Sequence, residues 1–425
     1  MNFVIKKSSL SGRVRIPGSK SHTIRGIICG TLAGGRTRLE NALFSDDTLA
    51  CMKACMQFGA RIEADKKNKR ITIQGTGGLL KTPDNIIDAM NSGTTLYFTM
   101  GLASLVEGWT FFTGDHQIRN RPAGEMMKAL RSLKAKAFST RGNDKAPLAV
   151  QGRARGGDVS LRAKSSQYLS SLLLSAPLFP RRTRINVLLL NEKPYVDMTL
   201  LWLKRSGITV IHKSEKLFEI PPKQRYRPRA FKIPSDFSSA AFFIVSSTLF
   251  AEGHVIIEGP DIRDVQGDKA IISSLTKMGA HIKTEKNRLI IRKSSLRGIP
   301  IDIRDTPDLF PVLAVAGCFA EGETVIYNGE HVREKETDRI SAMAGELKKM
   351  GASVKETPDG MIIRKSRLSG SLVSGHGDHR IVMSLAVAGL GSHGQTVIKG
   401  AEAASVTFPN FFDLMKSLKA KIKIF

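Results

Sequence analysis

Apolar and polar positions along the chain form two helical patterns that alternate and recur about every seventy residues. In one, a polar start precedes a helix that is apolar all round, as at GSKSHTIR, NSGTTLYF, KSSQYLSS, SDFSSAAF, TPDLFPVL and GDHRIVMS. In the other, an amphipathic helix ends at Gly or Lys before strand-like residues, as at MKACMQFGARIE, MKALRSLKAKAF, LLWLKRSGITVI, ISSLTKMGAHIK, GELKKMGASVKE and LMKSLKAKIKIF. Successive copies lie 68–75 residues apart, which predicts a repeated structural unit.

Each repeat therefore contains one helix of each kind, with strands between them. A helix that is apolar all round must be buried, whereas an amphipathic helix can cover a sheet with one face in water. Three repeats make roughly 210 residues, near the size at which a single core stops growing, so six repeats predict two lobes of three. The basic, proline-rich residues 221–236 follow the third repeat and predict a crossover. On this pattern alone the opening strands, residues 1–18, could join either lobe.

The composition is globular and strongly basic. Lys and Arg number 65 against 38 Asp and Glu among 425 residues, a formal charge of +27 that predicts an anionic ligand. Apolar residues make up 41% of the chain, which argues against disorder. The start of the chain does not read as a signal peptide, and no apolar run reaches membrane-spanning length. Four cysteines without a CxxC pair predict reduced thiols in a cytoplasmic protein: Cys29, Cys51, Cys55 and Cys318.

The polar starts of the apolar helices are candidate anion sites. A helix N-terminus offers unpaired N–H groups and a partial positive charge, which together favour phosphate. Ordinary N-capping by Ser, Asp or Gly is the alternative and explains a single start well. Basic residues placed at several starts favour the anion interpretation: Lys20, Arg25, Lys164 and Arg380.

Two further polar clusters lie in the connections. Residues 115–121 carry Arg119 and Arg121 in a loop. HVREKETDRI, residues 331–340, is expected to open an amphipathic helix, with Lys335 and Arg339 on one side and able to bracket a phosphate or carboxylate. A solvated charged face is the alternative. No zinc, P-loop or dinucleotide motif occurs, so neither a metal nor a nucleotide cofactor is expected.

These segments resemble the 5-enolpyruvylshikimate-3-phosphate synthase family, that of the 3-phosphoshikimate 1-carboxyvinyltransferases. The resemblance covers essentially the whole chain and implies a two-lobed α/β enolpyruvyl transferase fold. It consists of six βαβαββ units, three per lobe, with the active site in the interlobe cleft. We assign residues 1–18 and 234–425 to one lobe and residues 19–233 to the other. The segments that carry the resemblance are PGSKSHTIR, NSGTTL, NRPAG, SSQYLSSLL, KPYVDMTL, SDFSSAAFF, TPDLFP, VREKETDRI, GDHR and TFPNFF.

The resemblance implies transfer of the enolpyruvyl group of phosphoenolpyruvate to the 5-hydroxyl of shikimate 3-phosphate, by addition and then elimination of phosphate. Those two anions are the expected partners of a monomer without a cofactor. The candidate catalytic residues are Lys20, Asp308 and Glu336. The expected phosphoenolpyruvate contacts are Lys20, Asn91, Gly93, Thr94, Arg121, Gln167, Arg339 and Arg380. In the family, glyphosate competes with phosphoenolpyruvate near the residues that correspond to Asn91, Gly93 and Thr94. The expected shikimate 3-phosphate contacts are Ser21, Arg25, Ser165, Ser166, Gln167, Tyr195, Asp308 and Lys335.

Four positions depart from the family pattern. The family usually has Arg at Tyr97, Ser at Glu192, Asn at His331 and Lys at Val406. A carboxylate at Glu192 would repel a bound phosphate unless its side chain turned away. The departures leave open a divergent active branch, a paralogue with another hydroxyl acceptor, and an inactive homologue. We favour the first, because the proton-transfer candidates and four cations remain.

Two other functions were weighed against this one. UDP-N-acetylglucosamine enolpyruvyl transferase has the same fold and a reactive loop cysteine, but the comparable residues, about 112–124, include no Cys. Nucleic-acid binding would fit the charge. However, aromatic residues make up only 6% of the chain and the basic residues are scattered over all six repeats. Specific binding of nucleic acid is therefore not expected.

Overall fold

The computed structural model describes residues 1–424, apart from the side chain of Lys213. Its strands are β1 (Asn2–Lys6), β2 (Leu10–Arg15), β3 (Arg36–Glu40), β4 (Arg61–Asp65), β5 (Arg70–Gln74), β6 (Ile87–Asp88), β7 (Trp109–Thr113), β8 (Lys136–Ser139), β9 (Leu148–Gln151), β10 (Gly157–Ala163), β11 (Thr183–Leu190), β12 (Ile211–Ser214), β13 (Leu217–Ile220), β14 (Ala230–Lys232), β15 (Ala251–Glu258), β16 (His281–Glu285), β17 (Arg288–Arg292), β18 (Pro300–Asp302), β19 (Glu323–Tyr327), β20 (Ser353–Thr357), β21 (Gly360–Arg364), β22 (Leu372–Ser374), β23 (Gln395–Lys399) and β24 (Lys421–Ile424). Its helices are α1 (Lys20–Leu32), α2 (Asp46–Gln57), α3 (Gly93–Ala103), α4 (Gly124–Ser132), α5 (Ser166–Ser175), α6 (Lys193–Arg205), α7 (Phe237–Phe250), α8 (Ala270–Lys277), α9 (Phe310–Phe319), α10 (Arg339–Lys349), α11 (His379–Gly391) and α12 (Phe411–Ser417).

The chain divides into two compact units. The discontinuous unit comprises Met1–Pro17 and the chain from Pro234 onward, and the continuous unit comprises Gly18–Ile233. Gly18 was assigned to the first of these from sequence, and that assignment is wrong. Its backbone lies so close to the Asn41 carbonyl of the continuous unit that a Cβ atom at Gly18 would be 1.9 Å from that oxygen.

Each repeat folds as βαβαββ, which confirms the predicted fold class. In β18-β19-β21-β20, for example, β18 and β19 are parallel, and the β20–β21 hairpin adds antiparallel strands. Helix α9 joins the first two strands, and α10 leads into the hairpin. The described residues form six such four-stranded sheets. Three lie in each unit.

Three of the sheets are completed by strands that are distant in sequence. Strand β14, in the predicted crossover, pairs in parallel with β3. Strand β2 pairs in parallel with β15, and β1 lies between β23 and β24. The opening strands, which the sequence pattern alone left unassigned, therefore belong to the discontinuous unit.

The two predicted kinds of helix differ in burial as expected. Nearly every residue of α1, α3, α5, α7, α9 and α11 is buried. The alternate helices bury one face, as in α10, where Ile340, Met343 and Leu347 are fully buried and Lys348 and Lys349 are exposed. The core of the discontinuous unit consists of α7, α9 and α11 with the inward side chains of its sheets.

The Gly or Lys that ends each amphipathic helix has a positive φ. These residues are Gly59, Lys134, Gly207, Gly279, Gly351 and Lys419, with φ from 70° to 103°. The next residue's N–H bonds the carbonyl five residues earlier, as Ala60 does to Cys55 and Ala135 to Leu130. This Schellman-type ending requires a left-handed residue and so explains the preference for Gly.

None of the helices within residues 1–424 combines the length and apolar character needed to cross a membrane.

Candidate active site

Helix capping accounts for most of the polar starts. Ser19, Ser92, Ser165, Asp236 and Asp378 precede five of the apolar helices, and their side chains accept hydrogen bonds from backbone N–H groups of the first turn. The sixth helix, α9, instead continues a 3₁₀ turn, Pro307–Leu309, that contains Asp308. These hydroxyls and carboxylates are therefore N-caps, the alternative weighed from sequence. What distinguishes the helix starts is the set of side chains around them.

The continuous unit gathers one set of predicted residues around Arg121. A Cβ atom built on Gly93 would lie 2.3 Å from Nη1 of Arg121 and 3.5 Å from Oε1 of Gln167. Gln167 donates from Nε2 to Oγ1 of Thr94 at 2.9 Å. Arg121 is only 7% exposed. The absence of a side chain at Gly93 thus leaves room for the guanidinium at the start of α3. We call these four residues the Arg121 cluster.

The loop before Arg121 is organised by Asn91 and Asp115. Asn91 donates from Nδ2 to the Asp115 carboxylate and to Oε1 of Gln117. Asp115 also accepts from the backbone N–H of Ile118 at 2.9 Å. Arg119, the other arginine of this loop, donates to the carbonyl of Gly114 at 2.7 Å. It therefore supports the loop's own backbone.

Tyr97, where the family usually has Arg, contributes to the same region. Its hydroxyl donates to the carbonyl of Pro122 at 2.8 Å, and the hydroxyl of Tyr168 donates to that carbonyl at the same distance. The two rings meet edge to face with their centroids 4.9 Å apart. The substitution thus replaces a cation with a hydrogen bond to the residue next to Arg121.

Lys20 is paired with a carboxylate that sequence reasoning missed. Its Nζ lies 2.9 Å from Oδ2 of Asp47, and the two side chains are 16% and 6% exposed. The carbonyl of Asp47 accepts a hydrogen bond from the Thr95 hydroxyl at 3.4 Å, which links the pair to the start of α3. The only sequence signal for Asp47 was the acidic first turn of α2, which is an ordinary feature of helix starts.

Arg25 is fully buried and bonded within the protein. It donates from Nε to Thr199 Oγ1 at 2.8 Å, from Nη1 to the Ser21 carbonyl at 3.1 Å, and from Nη2 to the Tyr195 carbonyl at 2.9 Å. Burial lowers the pKa of Arg25 to about 10, and Tyr195, Cys29 and Glu192 partly oppose that shift. Three residues predicted to contact one substrate are thereby linked: Ser21, Arg25 and Tyr195.

Glu192 binds the start of α5. Its Oε2 accepts from the Ser166 backbone N–H at 3.1 Å and from the Ser166 hydroxyl at 2.6 Å. The hydroxyl of Ser165 caps the same helix by accepting from the N–H of Gln167 at 3.4 Å. Glu192 is 2% exposed, and its carboxylate is directed at Ser166 at the start of α5.

In the discontinuous unit, Arg339 holds three carboxylates. Its guanidinium lies 2.9 Å from Asp308, 2.5 Å from Glu336 and 2.7 Å from Asp378. Arg380 binds the second oxygen of Asp308 at 2.7 Å. Burial alone would lower the pKa of Arg339, but Asp378, Glu336 and Asp308 outweigh it and raise that pKa. We call these five residues the Arg339 cluster.

Asp268 is a further buried carboxylate that the sequence did not reveal. It accepts a short hydrogen bond from the Ser238 hydroxyl near the start of α7. Burial raises the pKa of Asp268 to about 7, with Asp308 and Asp236 adding to the shift and Arg380 and Ser238 opposing it. Gln266, two residues earlier, donates to the Ser235 carbonyl and accepts from the N–H of Phe237. The segment Gln266–Asp268 carries no motif that marked it in the sequence, and the adjacent Lys269 bonds the carbonyls of Ile262 and Asp264.

The predicted helical pairing of Lys335 with Arg339 is wrong. Helix α10 begins only at Arg339, because Asp338 accepts from the N–H groups of Ile340 and Ser341 and so starts the helix there. Lys335 precedes it with extended backbone, after the 3₁₀ turn Glu330–Glu334. Two positions that depart from the family pattern also lie in 3₁₀ turns: His331 in Glu330–Glu334, and Val406 at the end of Ala401–Val406.

Within the described part of the chain, no three His, Cys, Asp or Glu side chains are grouped so as to hold a metal ion.

Comparisons with known proteins give one consistent family. Residues 4–415 match the family model described as EPSP synthase (3-phosphoshikimate 1-carboxyvinyltransferase). The 3-phosphoshikimate 1-carboxyvinyltransferase of Ruminiclostridium cellulolyticum is 47% identical over all of both chains. That of Acetivibrio thermocellus is 47% identical over 99% of each. Among solved structures, EPSP synthase from Acinetobacter baumannii is 30% identical, with a TM-score of 0.84 over all of both chains.

Proposed function

The chain belongs to the EPSP synthase (3-phosphoshikimate 1-carboxyvinyltransferase) family, and we propose that it transfers the carboxyvinyl group of phosphoenolpyruvate to the 5-hydroxyl of shikimate 3-phosphate. The products are 5-enolpyruvylshikimate 3-phosphate and inorganic phosphate. This is the shikimate-pathway reaction of aromatic amino acid biosynthesis, and it makes the chain a transferase.

The observation that carries the proposal is the binding of Asp308 and Glu336 to one guanidinium. Arg339 contacts Asp308 from Nη1 and Glu336 from Nη2. Addition and elimination require one group to accept the hydroxyl proton and another to exchange a proton with the methylene carbon. A rigid, planar guanidinium can hold two carboxylates in a defined mutual position. Supported in this way, the two carboxylates are suited to separate proton transfers.

The proton transfers follow from that assignment. Asp308 accepts the proton of the 5-hydroxyl while the oxygen of that hydroxyl forms a bond to C2 of phosphoenolpyruvate. Glu336 gives a proton to C3, which produces a tetrahedral adduct with a methyl group. Glu336 then removes a proton from that methyl group, the double bond re-forms, and the C2–O bond to phosphate breaks. Lys20 can share either role, its ammonium form giving a proton to C3 or its amine form accepting the proton of the 5-hydroxyl.

We assign phosphoenolpyruvate binding to four cations: Lys20, Arg121, Arg339 and Arg380. Lys20, Arg339 and Arg380 already contact carboxylates of the protein. These pairs hold the cations in position before an anion arrives, which limits reorganisation during the reaction. Asn91, Gly93, Thr94 and Gln167 complete the proposed contacts through amide and hydroxyl groups and through the space left at Gly93.

We assign shikimate 3-phosphate binding to hydroxyls, an amide and cations, most of them at or near the starts of α1, α5 and α6. The start of α5 suits the phosphate, because its N–H groups and the helix dipole favour a dianion. The buried positive charge of Arg25 adds to that preference. The proposed contacts are Ser21, Arg25, Ser165, Ser166, Gln167, Tyr195, Asp308 and Lys335.

We further propose that the enzyme acts as a cytoplasmic monomer without a metal or organic cofactor. The arginine and lysine side chains named above can stabilise the charge that develops on the leaving phosphate. The activity should therefore persist after the purified enzyme is dialysed against a metal chelator.

Release of inorganic phosphate from phosphoenolpyruvate, measured with and without shikimate 3-phosphate, tests the proposal. We expect release only when both substrates are present. Glu336→Gln should lower kcat at least a hundredfold, because a missing acid–base group typically costs that much. Glu334→Gln is the matched control, since this exposed residue lies in the preceding turn and its replacement should leave kcat unchanged. Phosphate release independent of shikimate 3-phosphate would refute the proposed acceptor.

A further inference from the structure

We infer that the Glu192 carboxylate occupies the place of the acceptor's phosphate at the start of α5 and competes with that phosphate for the Ser166 donors. The inference rests on the proposed function, because it concerns how shikimate 3-phosphate binds. It makes Glu192 a specificity-determining residue that controls the affinity for phosphorylated acceptors.

The hydrogen bonds of Glu192 differ from an ordinary N-cap. The carboxylate caps Asp236, Asp338 and Asp378 immediately precede the helices whose N–H groups they bind. Glu192 lies 26 residues after Ser166 and immediately before a different helix, α6. Ser165 already supplies the local cap of α5. Glu192 is therefore an additional anion brought to this helix start from another segment of the chain.

The backbone at Glu192 is in an unfavourable conformation. Its φ of 59° and ψ of 40° lie in the left-handed region, which disfavours residues with a Cβ atom. Non-glycine residues held there often lie at functional sites.

A bound phosphate cannot accept the hydrogen bonds from the Ser166 N–H and hydroxyl while the Glu192 carboxylate accepts them. The backbone N–H and the hydroxyl each offer one proton, and Oε2 accepts both. An ionised carboxylate next to a phosphate dianion also repels it. The side chain must therefore leave Ser166 before the phosphate binds. Apparent affinity falls in proportion to the fraction of molecules in which the binding-competent arrangement exists.

Two substitutions separate occupancy from charge. Glu192→Ser removes both the competing group and its charge, and should lower the dissociation constant for shikimate 3-phosphate about tenfold. Glu192→Gln keeps the shape and an accepting oxygen without the charge, and should give a smaller decrease. Unphosphorylated shikimate should bind wild type and variants alike, and KM for phosphoenolpyruvate should not change. Binding is measured by titration calorimetry and KM by phosphate release.

Glu215→Ser is the matched control. It makes the same change in net charge on the exposed side of the same unit, where Glu215 contacts Lys193, and should leave both affinities as in wild type. If Glu215→Ser strengthened binding as much as Glu192→Ser, the effect would be one of overall charge and the inference would be wrong.

The remaining outcomes are distinct. Unchanged or weaker binding of shikimate 3-phosphate to both Glu192 variants, with wild type active, overturns the inference and leaves the proposed function intact. Wild type that releases no phosphate with shikimate 3-phosphate refutes the proposed function itself. If Glu192→Ser fails to fold, the near-isosteric Glu192→Gln still decides, because loss of the charge alone should strengthen binding.

Discussion

The two units present opposite chemistries at their helix starts. In the continuous unit, a hydroxyl, an amide and a guanidinium lie together around the space at Gly93, as in Thr94, Gln167 and Arg121. In the discontinuous unit, the Arg339 cluster contains three carboxylates for its two guanidiniums, and Asp268 lies close enough to Asp308 and Arg380 to interact with both electrostatically.

On the proposed assignments, the two carboxylates for proton transfer, Asp308 and Glu336, lie in the discontinuous unit, whereas most of the hydroxyl and amide contacts for the substrates lie in the continuous unit. Hydroxyl, amide and guanidinium donors suit anionic substrates, because all of them donate hydrogen bonds to phosphate and carboxylate oxygens. Carboxylates ordered by arginines suit the exchange of protons. Six similar repeats have thus acquired distinct chemistry through a few side chains at the starts of their buried helices.

Removal of the Arg339 guanidinium should have the largest effect on activity and stability. Arg339→Met leaves three carboxylates without their shared partner, so we expect loss of activity and destabilisation by about 3–5 kcal/mol. Lys20→Met leaves only Asp47 without its partner and should cost about 1–3 kcal/mol. Urea unfolding measures both. Arg263→Met, at an exposed ion pair with Asp261, is the control and should unfold like wild type. Equal losses at Arg339 and Lys20 would contradict the distinction.

The raised pKa of Asp268 makes stability depend on pH. In the folded protein the Asp268 carboxyl keeps its proton up to about pH 7, whereas in the unfolded chain it loses that proton near its ordinary pKa of 3.8. The free energy of unfolding should therefore fall as pH rises from about 4 to about 7, by up to about 4 kcal/mol. Asp268→Asn should flatten that slope in urea titrations, and the exposed Asp302→Asn should not. A slope unaffected by Asp268→Asn would show that other groups cause it.

The Arg121 cluster should be sensitive to a single added methyl group. In Gly93→Ala the new Cβ would lie 2.3 Å from Arg121 Nη1, so the guanidinium must move. We expect the fold to persist, with KM for phosphoenolpyruvate raised about tenfold, roughly the effect of 1.4 kcal/mol. Gly345→Ala is the control, because nothing lies within 4 Å of a Cβ at that helical position. An unchanged KM in Gly93→Ala would remove this cluster from substrate binding.

The smallest expected effects test whether the units share one local architecture despite their different chemistry. Lys134 in the continuous unit and Lys419 in the discontinuous unit have φ of 74° and 70°. Replacing either with Gly should relieve backbone strain and stabilise its unit by up to about 1 kcal/mol. Gly59→Ala makes the reverse change and should destabilise the protein. Thermal unfolding measures all three, and a loss of stability in both Lys variants would contradict this account.

The fold could be predicted because it depends on a local pattern repeated six times. Each copy contains an apolar helix and an amphipathic helix that ends at a left-handed residue. Both features depend only on residues that are close together in the sequence. The period was therefore visible without long-range information. The assignment of Gly18 failed because a contact with Asn41, distant in sequence, decides which unit holds it.

The site was predicted less completely, because its partners are far apart in the chain. Asp378 reaches Arg339 across 39 positions, and nothing in the sequence distinguishes it from an ordinary N-cap. Asp47 and Asp268 were missed for the same reason. The prediction that Lys335 and Arg339 share one side of a helix was wrong, because α10 begins only at Arg339 and Lys335 lies before it in extended backbone. The roles of the candidate residues as substrate contacts stay predictions.

The distant strands that complete the sheets set an order for folding during synthesis. The continuous unit has all its strands once residue 232 has left the ribosome. Strand β1, by contrast, lies between β23 and β24, so both its edges stay unpaired until nearly the entire chain has emerged. Strand β1 is thus synthesised long before its two partners, which leaves it exposed to chaperones and proteases in the nascent chain.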